Sequence, residues 1–144
     1  MKNLVKYFFI VLLLTMFICE CNAKEVAEII DPIDTAEQEC ISKTSDTYEM
    51  NRCAQIAQLS WEKDIRKNLA ELKKSLNPQD YKILQISQSS WEKYKKKEFT
   101  LIDTIIAYKQ GTMYLNFCEG WRTELVKQRA LILRQYLNTL QEQY

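Results

Sequence analysis

Residues 40–53, CISKTSDTYEMNRC, place Cys40 and Cys53 on either side of a polar turn that leads into a long amphipathic pattern. A disulfide between these cysteines would close a loop of about a dozen residues and stabilise the fold by about 3 kcal/mol on the chain-entropy model. It would latch an N-terminal arm to the first long helix. Disulfides persist in oxidising compartments, so the pairing depends on where the protein resides.

The start of the chain predicts export. Lys2 and Lys6 give a positive region, residues 7–19 form an apolar run, and residues 21–23 offer small side chains for cleavage. This pattern is typical of a signal peptide over residues 1–23 and predicts a periplasmic or secreted protein. The apolar run is shorter than the roughly 20 residues that a membrane span needs.

Two other fates of this segment stay open. Cys19 or Cys21 could carry a lipid anchor, although the residues before them match the small-residue lipidation pattern poorly. An uncleaved membrane anchor is the other alternative. After cleavage we expect a flexible leader over residues 24–33 and one helical domain over residues 34–144.

Three cysteines remain beyond residue 23, and they allow three different single disulfides. We favour Cys40–Cys53, because these two are close in sequence and separated by turn-forming residues. Cys118 would then be a free thiol, and its place on an apolar helical face predicts that it is buried.

Capping signals divide the domain into helices. Asp34 or Thr35 is placed to cap a short helix that continues to Lys43. Ser45 or Asp46 is placed to cap a first long helix after it.

Asn77 and Pro78 begin a second long helix, which we expect to end near Lys109, before Gly111. Gly120 lies inside the third long helix and predicts a kink or the close approach of a neighbour. Apolar residues at three- and four-residue steps predict the buried faces. They are Met50, Cys53, Ala54, Ala57, Trp61, Ile65, Leu69, Leu72 and Leu76 in the first long helix, Tyr81, Leu84, Trp91, Tyr94, Ile102, Ile105 and Ile106 in the second, and Phe117, Cys118, Trp121, Leu125, Ile132, Leu133, Tyr136, Leu137 and Leu140 in the third.

The whole chain has two glycines and two prolines, which leaves little material for β-hairpins. We therefore predict an all-α fold, an antiparallel bundle of three long helices with a short N-terminal helix latched by the disulfide. The tetrapeptide Ser-Trp-Glu-Lys occurs at residues 60–63 and again at residues 90–93, and we interpret both tryptophans as core residues.

The chain has no histidine, which removes Ser-His-Asp and Cys-His catalysis and the usual imidazole metal ligands. It has no Gly-rich phosphate loop, and no pair of carboxylates is singled out by its spacing. We predict no enzymatic activity and no catalytic, cofactor-binding or metal-binding residues. The four lysines within residues 93–97 are typical of a solvated helix face, although such a run could touch nucleic acid or a membrane surface.

Charge is segregated along the chain. Residues 24–53 carry eight acidic side chains against three basic ones, and the remainder is correspondingly basic. The plain interpretation is a solvated acidic lead-in, and the sharper one is an arm that attracts a cationic protein.

Several short motifs follow one another in a characteristic order between residue 40 and about residue 137. The matching residues are Cys40, Thr47, Met50, Asn51, Cys53, Ser87, Gln88, Ser89, Ser90, Trp91, Tyr94, Gly111, Thr112, Cys118, Thr123, Glu124 and Arg129. Together they resemble the lysozyme inhibitor LprI family of small exported bacterial proteins. We expect these motif residues to be mainly structural.

The resemblance implies a helical fold and, in many members, a second disulfide that reaches the later cysteine. Here Phe99 stands at the first partner position, so Cys118 has lost its mate. Lys95 stands where the family often has arginine. The resemblance also implies inhibition of a lysozyme by protein–protein binding. The alternative is a structural or adaptor protein of the envelope that has no effect on lysozyme.

As a hypothesis, the acidic residues Glu37, Glu39, Asp46 and Glu49 steer association with a basic lysozyme. Lys109, in the turn after the second long helix, would approach the carboxylates of the lysozyme cleft. The plain interpretation of this turn is a helix connection. We expect no nucleic-acid partner and no membrane span after signal cleavage, and the oligomeric state is left open.

Overall fold

The computed structural model describes residues 30–142, so the predicted signal peptide and the first part of the leader lie outside the described residues. The described residues form four helices and no strand, which confirms the predicted all-α fold. None of the four combines the length and apolar character needed to cross a membrane. They are α1 (Pro32–Ile41), α2 (Thr47–Ser75), α3 (Pro78–Ala107) and α4 (Met113–Gln141).

Local capping determines where α2 and α3 begin, as predicted. The Asp46 carboxylate accepts a hydrogen bond from the Glu49 amide at 2.9 Å. The Asn77 side-chain oxygen accepts from two amides in the first turn of α3, at 2.9 and 3.0 Å. Pro78 occupies the first helical position of α3, where no amide hydrogen is needed.

Helix α1 begins earlier than predicted. Its N-cap is Asp31, not Asp34 or Thr35, and the Asp31 carboxylate accepts from the Ile33 amide at 2.9 Å. Pro32 is the first helical residue. The expectation was wrong because this cap-then-proline pair is the same start signal as that of α3, and we had assigned it to the leader.

Two helices end about two residues before their predicted limits. Helix α1 ends at Ile41 and not at Lys43, and α3 ends at Ala107 and not near Lys109. Both ends continue into tighter turns, in which the backbone hydrogen bonds span three residues. Gly111 then adopts a φ of 105°, a conformation that glycine takes without strain, and the chain turns into α4.

Helices α2 and α4 run parallel, and α3 is antiparallel to both. Asn116 Nδ2 donates to Met50 Sδ at 3.7 Å, which joins the first turns of α4 and α2. Farther along both helices, the Thr123 hydroxyl donates to the Ala54 carbonyl at 3.1 Å. The beginnings of α2 and α4 and the end of α3 therefore lie at the same end of the bundle.

The predicted disulfide is present. Cys40 and Cys53 are bonded, with their Cα atoms 5.7 Å apart. The bond joins the end of α1 to the second turn of α2 and confirms the latched short helix.

The core lies mainly between α2 and α4. Trp61 and Leu72 of α2 and Val126 and Leu133 of α4 are fully buried, and α3 contributes Leu84. The predicted buried face of α2 is confirmed for most of its positions. Its buried members are Cys53, Ala54, Ala57, Trp61, Ile65 and Leu72.

The predicted buried face of α4 is largely wrong. Phe117 and Trp121 are 46% and 48% exposed, and Ile132, Tyr136 and Leu140 are exposed as well. The side that faces the core carries Thr123, Val126, Arg129 and Ala130. Apolar residues occur all around α4, so their periodicity does not select one side.

Two further expectations are corrected. Tyr94 and Ile105 of α3, which we placed in the core, are 48% and 42% exposed. A Cβ atom on Gly120 would meet nothing within 4 Å, so the close approach of a neighbour does not explain this glycine. Helix α3 buries little of its surface, and its outer side is apolar as well as charged.

Candidate functional site

Three of the motif residues surround the buried guanidinium of a fourth, Arg129. Arg129 is 8% exposed. Its Nε donates to Gln88 Oε1 at 3.0 Å, and its Nη2 donates to Ser87 Oγ at 3.4 Å. The guanidinium lies 5.9 Å from the centre of the Trp91 ring. Burial lowers the pKa of Arg129 from its ordinary value. This cluster joins α4 to α3 and explains why these residue types occur together.

The other motif residues have different surroundings. Thr123 is buried and bonds across to α2, and Met50 accepts a hydrogen bond from α4. Thr47 is the first residue of α2, and Gly111 makes the turn before α4. Tyr94 lies on the outer side of α3. Apart from Tyr94, these positions suit structural roles.

Cys118 is buried and has no disulfide partner within the described residues. Its Sγ lies 3.6 Å from Asp103 Oδ1, and the same carboxylate is ion-paired with Arg122. The Arg122 guanidinium lies 5.3 Å from the centre of the Phe99 ring. An ion pair and a cation–π contact therefore join α3 and α4 in the region where the family resemblance places a second disulfide.

We expect Cys118 to react slowly with iodoacetamide in the folded protein. Burial raises the pKa of its thiol; Arg122 opposes this shift, and Asp103 adds to it. The thiolate is the reactive form, so a raised pKa leaves little of it near neutral pH. Mass spectrometry should show alkylation at least about tenfold faster in urea. Rapid labelling of the folded chain would contradict the burial of Cys118.

The first two acidic residues of α1 are engaged in ion pairs with α4. Asp31 pairs with Arg134, which also binds Asp64 at 2.6 Å, and Asp34 pairs with Lys127 at 2.7 Å. Burial alone would raise the pKa of Asp31, but a backbone amide and Arg134 donate hydrogen bonds to it and lower the pKa. Part of the acidic arm is therefore neutralised within the fold.

Arg134, Lys127 and Asp103 were not among the residues predicted from the sequence. Arg134 and Lys127 are seven residues apart, which places them on one side of α4. The two acids of α1 that they bind are three residues apart and also share one side. This pair of spacings was the available signal, but it gains meaning only once α1 is known to lie against α4.

Glu39, Asp46 and Glu49 remain exposed at the end of the bundle where α2 begins. Glu39 and Glu49 line one open crevice beside the disulfide. Among the described residues, Glu49 has an ion pair with the exposed Arg52 at 3.7 Å, and such pairs contribute little. Negative charge is therefore available to a partner at this end.

Lys109 lies at the same end, exposed in the turn after α3. Glu37, in contrast, is half-buried. It lines a groove between α1 and α4 together with Asp34 and Lys127. Burial, followed by the negative charge of Asp34, raises the pKa of Glu37. The structure thus brings four of the five predicted partner-binding residues to one end and leaves Glu37 at its margin.

The exposed charged residues at this end can bind a partner through electrostatic attraction and surface contact. Across residues 30–142, no group of three or more histidine, cysteine or carboxylate side chains is placed to hold a metal ion. The described site is a charged end of a helical bundle, with an open crevice beside the disulfide. Such a surface suits a protein partner.

Comparison with known proteins supports this view of the fold. The family model described as lysozyme inhibitor LprI matches residues 40–133. No curated protein matches the chain. A crystal structure of an uncharacterized protein from Burkholderia thailandensis is similar, with a TM-score of 0.73 and 28% sequence identity. The match covers 79% of this chain and 57% of that protein, so this chain spans little more than half of its length.

The family match covers most of the chain, from the first cysteine of the disulfide to the last buried leucine of α4. It includes the disulfide itself, the cluster around Arg129 and the buried Cys118. This protein belongs to the lysozyme inhibitor LprI family.

Proposed function

We propose that this protein is exported and inhibits a lysozyme by binding it. Family membership supports the activity. The surface we assign to binding is the acidic end, defined as Glu39, Asp46, Glu49 and the neighbouring turn that carries Lys109. The observation that carries this choice is that these three carboxylates are exposed, while the first two acids of α1 are neutralised by α4.

The acidic end acts first by attraction. Animal-type lysozymes are generally strongly basic, and complementary charge raises the rate of encounter more than it raises final affinity. This contribution falls as salt increases, because exposed charges are screened within about 10 Å at moderate ionic strength. Glu37, in the groove beside the acidic end, adds to the same field when it is ionised.

Inhibition then requires that the cleft be blocked. The cleft of a lysozyme holds two catalytic carboxyl groups with different protonation states. The turn after α3 is exposed beside the acidic end, and Lys109 projects a positive charge that complements an ionised carboxylate. We therefore assign attraction to the carboxylates and occlusion of the cleft to the turn.

A second candidate function is an envelope adaptor. It is favoured by an exposed aromatic pair on α4, in which the rings of Phe117 and Trp121 are stacked with their centres 6.3 Å apart. Exposed aromatic pairs are frequent in interfaces. Capture of an envelope protein that depends on both rings, with no effect on lysozyme, would favour the adaptor over the inhibitor.

Purified residues 24–144 should slow lysis of a peptidoglycan substrate by lysozyme. Replacing Glu39 and Glu49 by glutamine should lower the association rate about three- to tenfold at low salt, with a smaller effect at high salt. Lys109→Ala should weaken inhibition more than association, because we assign the turn to the cleft.

The control removes two acids from the opposite end of the bundle, Glu71→Gln with Glu142→Gln; Glu142 is exposed, and Glu71 is half-buried and paired with the exposed Lys74. This double variant should inhibit like the parent chain. Undiminished lysozyme turnover at micromolar concentrations of the parent chain would refute the inhibitor proposal. Equal losses in the two double variants would refute the choice of surface.

A further inference from the structure

Helix α3 has an outer face that combines exposed apolar and basic side chains. The apolar members Ile83, Ile86, Tyr94 and Leu101 are 48–66% exposed. Lys93 and Lys97 lie between them, and both are exposed. These six positions recur at intervals of one, three, four and seven residues, which places them within an arc of about 100° on the helix. We call these six residues the outer face of α3.

The lysines of this face carry charge that the fold does not neutralise. Within residues 30–142, Lys93 and Lys97 of this face and Lys96 beside it form no ion pair, whereas Lys95 binds both Glu62 and Glu92. A surface with uncompensated positive charge complements an anionic partner. The positive charge of this face therefore favours a negatively charged partner.

The apolar members select the kind of partner. Isoleucine and leucine gain nothing from a phosphate backbone, but they gain from insertion among acyl chains. Lysine side chains can lay their aliphatic stems along the same apolar region and keep their ammonium groups at the headgroups. The face extends about 27 Å along a continuous helix, from Ile83 to Leu101, which suits a flat surface.

A second copy of the chain fits this face less well. A two-fold symmetric contact would place the patch against itself and bring lysines of both copies together. We propose that the outer face of α3 docks on the surface of an anionic phospholipid bilayer, with α3 lying in the plane of the headgroups. This proposal does not depend on lysozyme binding, because the acidic end lies apart from the face.

The sequence provides a matched control for this face. The repeated tetrapeptide ends at Lys63 in α2 and at Lys93 in α3. Two further basic residues follow each copy at the same spacing, Arg66 and Lys67 in α2 and Lys96 and Lys97 in α3. All six of these basic residues are exposed. Reversing either set to glutamate changes the net charge equally, so any difference between the two variants reports on the face and not on total charge.

The experiment is sedimentation of residues 24–144 with vesicles, either pure phosphatidylcholine or phosphatidylcholine mixed with phosphatidylglycerol. This form contains all four helices, the core and the disulfide. We expect binding to the anionic vesicles, weakened by salt, and little binding to the neutral ones. Reversal of Lys93, Lys96 and Lys97 should lower the partition coefficient at least about tenfold, and the α2 triple variant should change it by about twofold or less.

The apolar contribution is tested separately. Ile86→Ser with Leu101→Ser should weaken binding about fivefold or more, while Ile56→Ser with Leu59→Ser, an equally exposed pair on α2, should have little effect. Circular dichroism checks that each variant is folded.

Equal losses in the two triple variants, equal binding to neutral vesicles, or no binding to anionic vesicles would overturn the proposal. So would binding to an oligonucleotide but not to vesicles, or a dimer that Ile86→Ser with Leu101→Ser abolishes without any vesicle binding by the parent chain.

Discussion

Replacing Trp61 by alanine should lower the free energy of unfolding by about 3–5 kcal/mol, the usual cost of deleting a large buried aromatic side chain. Trp61 is fully buried between α2 and α4. The charged groups of Arg134 and Lys127 lie over its ring, 5.1 and 5.8 Å from the centre. The substitution therefore opens a cavity and removes the surface on which two ion-paired cations pack. Domains of this size are stable by about 5–15 kcal/mol in total, so a large share is at stake.

Trp61→Phe separates the contribution of this side chain's size to stability from that of its polar Nε1 atom. The indole Nε1 is buried without a hydrogen-bond partner among the described residues. A buried unsatisfied donor costs about 1–3 kcal/mol, and phenylalanine has no such donor. We therefore expect Trp61→Phe to lower the free energy of unfolding by less than half as much as Trp61→Ala does. Phenylalanine at least as destabilising as alanine would contradict this account.

Urea unfolding followed by circular dichroism measures both variants. Trp121→Ala is the control, because Trp121 lies on α4 and is 48% exposed. Its effect should stay within about 1 kcal/mol. An unfolding midpoint for Trp61→Ala equal to that of the parent chain would refute the assignment of Trp61 as the centre of the core.

Removing the Cys40–Cys53 bond should lower stability by about 3 kcal/mol and loosen α1, while α2, α3 and α4 stay folded. The bond closes a sequence separation of 13 residues. Helix α1 contributes no fully buried residue, and of its side chains only the half-buried Ile33 packs against the core cluster, so most of the core packing does not involve α1. The Asp34–Lys127 ion pair still attaches α1 to α4, and high salt should weaken that attachment in the reduced protein.

Cys40→Ser is the cleaner variant for this test. Cys53 is 5% exposed, so Cys53→Ser adds the cost of a buried hydroxyl to the loss of the bond. Limited proteolysis should cut within α1 faster in both variants, and urea unfolding should show the lower stability. Cys118→Ser keeps the disulfide and should leave the rate of cleavage in α1 unchanged. Complete loss of the helical signal at room temperature in Cys40→Ser would contradict an independent bundle.

Helix boundaries could be predicted from sequence where both partners of the cap are neighbours along the chain. Asp46 and Asn77 bond to amides two or three residues away, so the sequence contains the whole interaction. Asp31 carries the same signal, and the structure shows that it acts in the same way. The disulfide was predictable for a related reason, because its cysteines flank a short polar turn.

The candidate site was predictable in part. Glu39, Asp46 and Glu49 are exposed together, as an acidic segment near the disulfide suggests. The partial burial of Glu37 could not be predicted, because the groove that Glu37 lines includes Lys127, which is 90 residues later in the chain. Sequence alone gives the charge of a segment, but its contacts determine how much of that charge a partner can reach.

The sequence by itself determined the helices, the bundle class and the disulfide, because each depends on nearby residues or on a repeating pattern. Tertiary structure alone decided which side of α4 is buried, since apolar residues surround that helix and α2 selects the side with Val126 and Ala130. It also decided that Arg129 lies against Gln88, a contact across 41 residues of sequence. Such contacts exist only after the helices pack, and no local signal encodes them.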